Sequence, residues 1–148
     1  MASVADSFES QFCGGTLIAS QWVLTAAHCM FKDEAGTMPL TAAELKIILG
    51  EHDLGAENEE KIPRKAVGVT KIINHPSYSS STSNNDIALL KLAEEVDLKT
   101  YTPACLANTT DNFEGKSAWV YGNIFKKLLL ISNYLARMGN HFCWRIFF

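Results

Sequence analysis

Residues 16–25 read Thr16-Leu17-Ile18-Ala19-Ser20-Gln21-Trp22-Val23-Leu24-Thr25, two short apolar runs separated by two polar residues. Four-residue runs rich in Ile, Val, Leu, Trp and Thr are typical of strands, and a two-residue break between two such runs predicts a tight β-hairpin. The next four residues, Ala26-Ala27-His28-Cys29, predict a helical turn directly after the second strand. The sequence therefore predicts a hairpin at residues 16–25, followed directly by a helical turn that contains His28.

Further along the chain, other short apolar runs alternate with polar loops. Residues 45–49 predict a strand that Gly50 ends, and residues 67–73 predict another that the Asn-His-Pro sequence at 74–76 ends. Residues 87–90 are apolar but too few for a globular helix, so they predict a buried strand. The loop at 51–61 is strongly acidic. Short strands with polar loops between them indicate an all-β barrel or sandwich.

Length and composition exclude several classes of protein. The chain has 148 residues, of which 47% are hydrophobic and 20% charged, so it can bury a core of one domain. The formal net charge of −3 gives no basic surface for nucleic acid. No apolar segment approaches the roughly 20 residues that span a bilayer. Residues 1–11 are polar and acidic without an apolar stretch, so they are not expected to be a signal peptide.

Charge is distributed unevenly along the chain. Residues 1–122 contain 9 Lys and Arg against 16 Asp and Glu, whereas residues 123–148 contain 4 basic residues and no acidic residue. Sixteen of these last 26 residues are apolar or aromatic. Such a change at one point predicts two segments of different origin, the second being a basic and apolar tail at 123–148.

Two residues carry the chemistry that this sequence suggests. His28 can take up and return a proton near neutral pH. Asp86 opens the predicted strand at 87–90, and a buried carboxylate there could keep one ring nitrogen of a histidine protonated and leave the other free as a base. From the residues alone, a histidine next to a cysteine indicates a structural or metal-binding role more often than a catalytic one.

Several ordered motifs resemble those of the trypsin- and chymotrypsin-like serine proteases. These are Cys13-Gly14-Gly15-Thr16-Leu17-Ile18, Thr25-Ala26-Ala27-His28-Cys29 and Asn85-Asp86-Ile87-Ala88-Leu89-Leu90, supported by residues 49–53, 73–78 and 118–122. The resemblance covers residues 12–122, between a non-matching segment at 1–11 and the tail at 123–148. It implies the first of two chymotrypsin-like antiparallel six-stranded barrels. Because nothing before residue 12 matches, we expect this barrel to lack its opening strand and to be incomplete.

The resemblance also implies a Ser-His-Asp mechanism of peptide-bond hydrolysis, with His28 as general base and acid and Asp86 as the group that orients it. The nucleophilic serine should lie in a Gly-Asp-Ser-Gly-Gly motif, which the sequence does not contain. The oxyanion hole and the specificity pocket belong to the same missing half, so we expect these 148 residues to be inactive. Two alternatives are a non-catalytic, pseudoprotease-like binding module and a truncated isoform without function. Polypeptide substrates or protease inhibitors are the implied partners, and secretion is the implied location.

The family pattern suggests further sites. Cys13 and Cys29 match its disulfide beside the histidine, whereas the pairing of Cys105 and Cys143 stays open. The loop that binds calcium in trypsin-like relatives corresponds to four acidic residues here: Glu51, Asp53, Glu57 and Glu60. The alternative is a solvated acidic loop, and no cofactor is required for the chemistry. Asn108 begins a glycosylation sequon, which has meaning only in a secreted chain.

Overall fold

A computed structural model describes residues 2–50, 62–108 and 110. The described residues form six antiparallel strands and no α-helix. The strands are β1 (Ala2–Asp6), β2 (Gln11–Ala19), β3 (Trp22–Thr25), β4 (Leu45–Leu49), β5 (Lys65–Asn74) and β6 (Ala88–Leu92). Their order around the molecule is β1-β2-β3-β6-β5-β4, and the sheet closes into a barrel. The predicted all-β, chymotrypsin-like barrel is therefore confirmed.

The expectation of an incomplete barrel was wrong. Residues of the N-terminal segment form β1, which pairs with β2 on one side and with β4 on the other. In this position Val4 lies opposite Cys13 and Ile47 and is completely buried. Within β1, Val4 is the single apolar residue larger than alanine, so the local sequence gives only a weak indication of a strand. The segment forms a strand because both neighbouring strands offer unpaired backbone groups and a core to cover.

The hairpin predicted at residues 16–25 is β2 and β3, and the turn lies at the two polar residues. The predicted bounds of β3 and β4 agree with the observed ones, and β5 and β6 begin and end one or two residues away from theirs. β2 begins at Gln11, five residues before the predicted run. Inside the barrel, Val23, Ile47 and Leu90 are fully buried and belong to one continuous core with Val4. Close packing at Gly15 supports this arrangement, because a Cβ atom there would lie 2.9 Å from Cγ1 of Val23.

The connection after β4 leaves the barrel at a position that needs an unusual backbone. Gly50 ends β4 with a φ of +82°, and a side chain there would collide with the carbonyl oxygen of Pro63. The same carbonyl accepts a hydrogen bond of 2.8 Å from the Tyr101 hydroxyl.

Some of the predicted features lie outside the described residues. The acidic loop at 51–61, with the predicted calcium ligands at 51, 53, 57 and 60, is one of them. The tail at 123–148 is another. In the part of the chain that the structure describes, none of the helices has the length and hydropathy of a membrane-spanning segment.

Candidate active site

The barrel brings His28 and Asp86 together at one end of two neighbouring strands. Thr25, the last residue of β3, pairs with Ala88, the first residue of β6. His28 follows Thr25 by three residues and Asp86 precedes Ala88 by two, so both leave the same end of the β3–β6 ladder. His28 also begins a short 3₁₀ helix, His28–Met30, which confirms the predicted helical turn.

Asp86 contacts His28 through both carboxylate oxygens. Its Oδ2 lies 2.7 Å from the histidine Nδ1, and its Oδ1 accepts a hydrogen bond of 2.8 Å from the histidine backbone N–H. Burial opposes the charge on Asp86 and by itself would raise the pKa of that carboxyl. The hydrogen bonds from the His28 side chain and backbone more than offset this, so the pKa of Asp86 is lowered below its ordinary value of 3.8.

The two side chains differ in their access to solvent. The side chain of His28 is 58% exposed, whereas that of Asp86 is 23% exposed. An ionised carboxylate accepts hydrogen bonds only, so Nδ1 of the neutral imidazole must carry the proton that this contact requires. The other ring nitrogen of His28, Nε2, then keeps its lone pair. It belongs to a side chain that is more than half exposed. The geometry can therefore present a neutral imidazole as a general base to an incoming proton donor.

Cys13 and Cys29 form a disulfide, with their Cα atoms 6.2 Å apart, as the resemblance implied. The bridge ties β2 to the 3₁₀ helix that starts at His28, and Sγ of Cys29 lies 3.5 Å from Nε2 of the histidine. A disulfide sulfur carries no proton, so this contact leaves the Nε2 lone pair free. The same three residues are close enough to bind a metal ion, but sulfurs joined in a disulfide offer no thiolate ligand. The disulfide therefore removes the two sulfur ligands that a metal site at His28 would need.

Two aromatic rings stack on each other, and one of them, Tyr78, experiences the negative charge of Asp86. The rings of Phe31 and Tyr78 stack with centroids 5.8 Å apart. Burial, together with the negative charge of Asp86, raises the pKa of the Tyr78 hydroxyl above 10.0. Tyr78 therefore stays neutral at physiological pH. The sequence patterns indicate no role for either ring, because the two residues are 47 positions apart in the sequence and only the folded chain brings them together.

Asn85 is a further residue at the site for which the sequence patterns indicate no role. Its φ is +56°, in the left-handed region that few residues other than glycine adopt. Asparagine is one of the residues that tolerate this region best, so an asparagine before Asp86 is the feature of the sequence that could have indicated this backbone conformation.

Asn108, the predicted glycosylation residue, is exposed. Cys105 is exposed and forms no disulfide with a described residue.

Comparisons with known proteins agree with this geometry. The chain is 43% identical over 108 residues to vitamin K-dependent protein C of Mus musculus, which covers 72% of this chain and 21% of that protein. It is 42% identical over 86 residues to trypsin II-P29 of Gallus gallus, covering 58% of this chain and 29% of that protein. It is 38% identical over 128 residues to the inactive CLIP domain-containing serine protease A28 of Anopheles gambiae, covering 80% of this chain and 31% of that protein.

The chain thus spans between about a fifth and a third of the length of these relatives. The family model described as Trypsin matches residues 1–123, so the match includes β1, which the sequence analysis had left outside the resemblance. The histidine motif and the aspartate motif both lie inside this range and meet in the folded barrel. The chain belongs to the trypsin-like family of serine proteases.

Proposed function

We propose that this chain provides the histidine and aspartate of a serine endopeptidase that cleaves polypeptides by acyl transfer. The observation that carries the proposal is the double contact of Asp86 with His28, through the ring Nδ1 at 2.7 Å and the backbone N–H at 2.8 Å. A carboxylate held in this way fixes the imidazole in the tautomer that leaves Nε2 free to accept a proton from a nucleophile.

The nucleophile must come from outside these 148 residues. The sequence contains no Gly-Asp-Ser-Gly-Gly motif, and the backbone donors of an oxyanion hole are built around that serine in the serine-protease mechanism. His28 would take the proton of the serine hydroxyl as that oxygen attacks the scissile carbonyl, and would return it to the leaving amine. The 148 residues by themselves are therefore expected to hydrolyse no peptide bond.

The test joins residues 1–122 to the C-terminal half of trypsin II-P29 of Gallus gallus. We expect the chimera to hydrolyse peptide amides and to react with a fluorophosphonate probe, whereas the chain alone does neither. Replacing Asp86 by Asn in the chimera should lower kcat by about 10⁴-fold, because the wrong histidine tautomer is then favoured. The matched control is Asp97→Asn, since the Asp97 carboxylate accepts hydrogen bonds from Lys99 and Thr100 within its own turn. An equal loss in both variants would contradict the proposal, as would turnover by the chain alone.

Two observations favour a second candidate, a non-catalytic module that binds polypeptide inhibitors or substrates of this family. The sequence contains no serine motif, and the Anopheles gambiae relative is named inactive. Calorimetric titration of the 148-residue chain with a polypeptide inhibitor of trypsin tests this candidate. Saturable binding in a 1:1 ratio supports it, and the absence of heat at micromolar concentrations refutes it.

We also propose an extracellular location for the protein. The Cys13–Cys29 disulfide supports it, because such bridges persist in oxidising compartments and are rare where glutathione keeps thiols reduced. Measuring the redox state of these two cysteines in the protein recovered from its cell of origin, with thiols trapped at lysis, tests the proposal. Two free thiols would contradict it.

A further inference from the structure

We propose that Asn85 is a positioning residue that holds the Asp86 carboxylate against His28. This inference rests on the proposed function, in which the carboxylate orients the imidazole. Asn85 directly precedes Asp86 and has a φ of +56°. A left-handed residue at this point reverses the local course of the backbone, so the direction in which the next residue leaves the chain depends on it.

The side chain of Asn85 ties this backbone conformation to the start of its own loop. Its Nδ2 donates a hydrogen bond of 3.0 Å to the carbonyl oxygen of Ser77. On the other side of Asp86, the backbone N–H of Ile87 donates to the carbonyl oxygen of Asn85 over 2.8 Å. The Ile87 carbonyl in turn accepts from the backbone N–H of His75 over 3.0 Å. Hydrogen bonds therefore hold the residues on both sides of Asp86, namely Asn85 and Ile87.

Elsewhere in this loop, the backbone N–H of Ser79 donates a hydrogen bond of 3.1 Å to the carbonyl oxygen of Asn84, and the Ser80 hydroxyl donates one of 2.7 Å to the carbonyl oxygen of Ala35. Residues 81–85 are all exposed, so no buried apolar side chain anchors the chain just before Asp86. Asp86 itself must reach two donors at once, the ring Nδ1 and the backbone N–H of His28, and this requires one orientation of its carboxylate. Since hydrogen bonds weaken steeply with misalignment, a small rotation of the backbone at position 85 would weaken both contacts.

The pKa of the Asp86 carboxyl reports this arrangement directly and needs no catalytic activity. It is measured in the 148-residue chain by the pH dependence of the ¹³C carboxyl signal. The hydrogen-bonded Nδ1 proton of His28, followed by ¹⁵N-edited NMR, is a second signal that a merely stabilising residue would not change. In Asn85→Ala we expect the Asp86 pKa to rise by about half a unit, an approximately threefold weakening of its contacts with His28, and the Nδ1 proton to exchange faster. In Asn85→Gly we expect a smaller rise, because glycine keeps the left-handed backbone and loses only the bond to Ser77.

Ser83 offers a matched control in the same loop. It also has a left-handed backbone, with φ at +53°, and is exposed. Ser83→Ala and Ser83→Gly should leave the Asp86 pKa and the His28 proton as they are in the unaltered chain. Equal shifts in the Ser83 and Asn85 variants, or no shift in Asn85→Ala, would overturn the proposal. If Asn85→Ala fails to fold, Asn85→Gly decides, and an unchanged Asp86 pKa in that variant overturns it.

A further variant separates this inference from the proposed function. His28→Ala removes the partner of Asp86 and should raise the Asp86 pKa more than any change at position 85. If His28→Ala leaves that pKa unchanged, the histidine–aspartate pair itself is refuted, and the proposed function fails with it. If His28→Ala raises the pKa and neither Asn85 variant does, only the positioning role of Asn85 is refuted.

Discussion

Replacing Val4 by Ala tests whether the N-terminal segment completes the barrel. The Val4 side chain is fully buried between β2 and β4, so the change removes two methyl groups from the core. The lost transfer free energy is about 1.5 kcal/mol, and the cavity left behind increases the cost to about 2 kcal/mol. With a slope of about 1 kcal/mol per molar in urea, the midpoint of unfolding should fall by about 2 M.

The same hairpin contains a control with a larger apolar side chain. Phe8 lies in the turn between β1 and β2 and is 91% exposed. Phe8→Ala deletes more apolar atoms than Val4→Ala, but those atoms already contact water, so the free energy of unfolding should change by less than about 0.5 kcal/mol. Urea titration of each variant, followed by tryptophan fluorescence, measures both effects. Equal losses in the two variants, or a neutral Val4→Ala, would refute the assignment of residues 2–6 to the barrel.

Three further predictions concern acid stability, the disulfide and calcium. The hydrogen bond from Lys32 is the largest cause that lowers the pKa of Glu44 to about 2, so Glu44 stabilises the fold fully above its ordinary pKa of 4.5 and loses this contribution as the pH falls toward 2. Glu44→Gln should therefore be less stable than the unaltered chain at pH 7 and match it near pH 2 in urea titrations, and a constant difference would contradict this. Replacing Cys13 and Cys29 together by Ser should cost about 3 kcal/mol, measured by the same titration, and linkage of Cys13 to another cysteine in non-reducing peptide maps would refute the pairing. If the acidic loop at 51–61 binds calcium, Ca²⁺ should raise the melting temperature at concentrations where Mg²⁺ does not, and equal effects of both ions would favour a solvated loop.

Much of the barrel could be predicted from local sequence patterns. The bounds of β3 and β4 agree with their apolar runs, because these strands place large apolar side chains in the core and end at polar residues or glycine. β1 could not be predicted in this way. Ala2, Ser3 and Ala5 are small or polar, and the strands on either side bury them together with Val4, the one larger apolar residue of the run.

For the candidate site too, some features could be predicted from the sequence and others could not. Which residues could do the chemistry was predictable from local motifs, since a histidine and an aspartate carry their ionisable groups wherever they lie. That the two meet, although they are 58 positions apart, follows only from the folded chain, in which Nδ1 of His28 lies 2.7 Å from a carboxylate oxygen of Asp86. The pairing of Thr25 with Ala88 sets that distance, and the left-handed backbone at Asn85 gives the carboxylate its direction. Strand register and backbone direction depend on contacts between segments distant in the chain, and no local pattern of residues specifies those contacts.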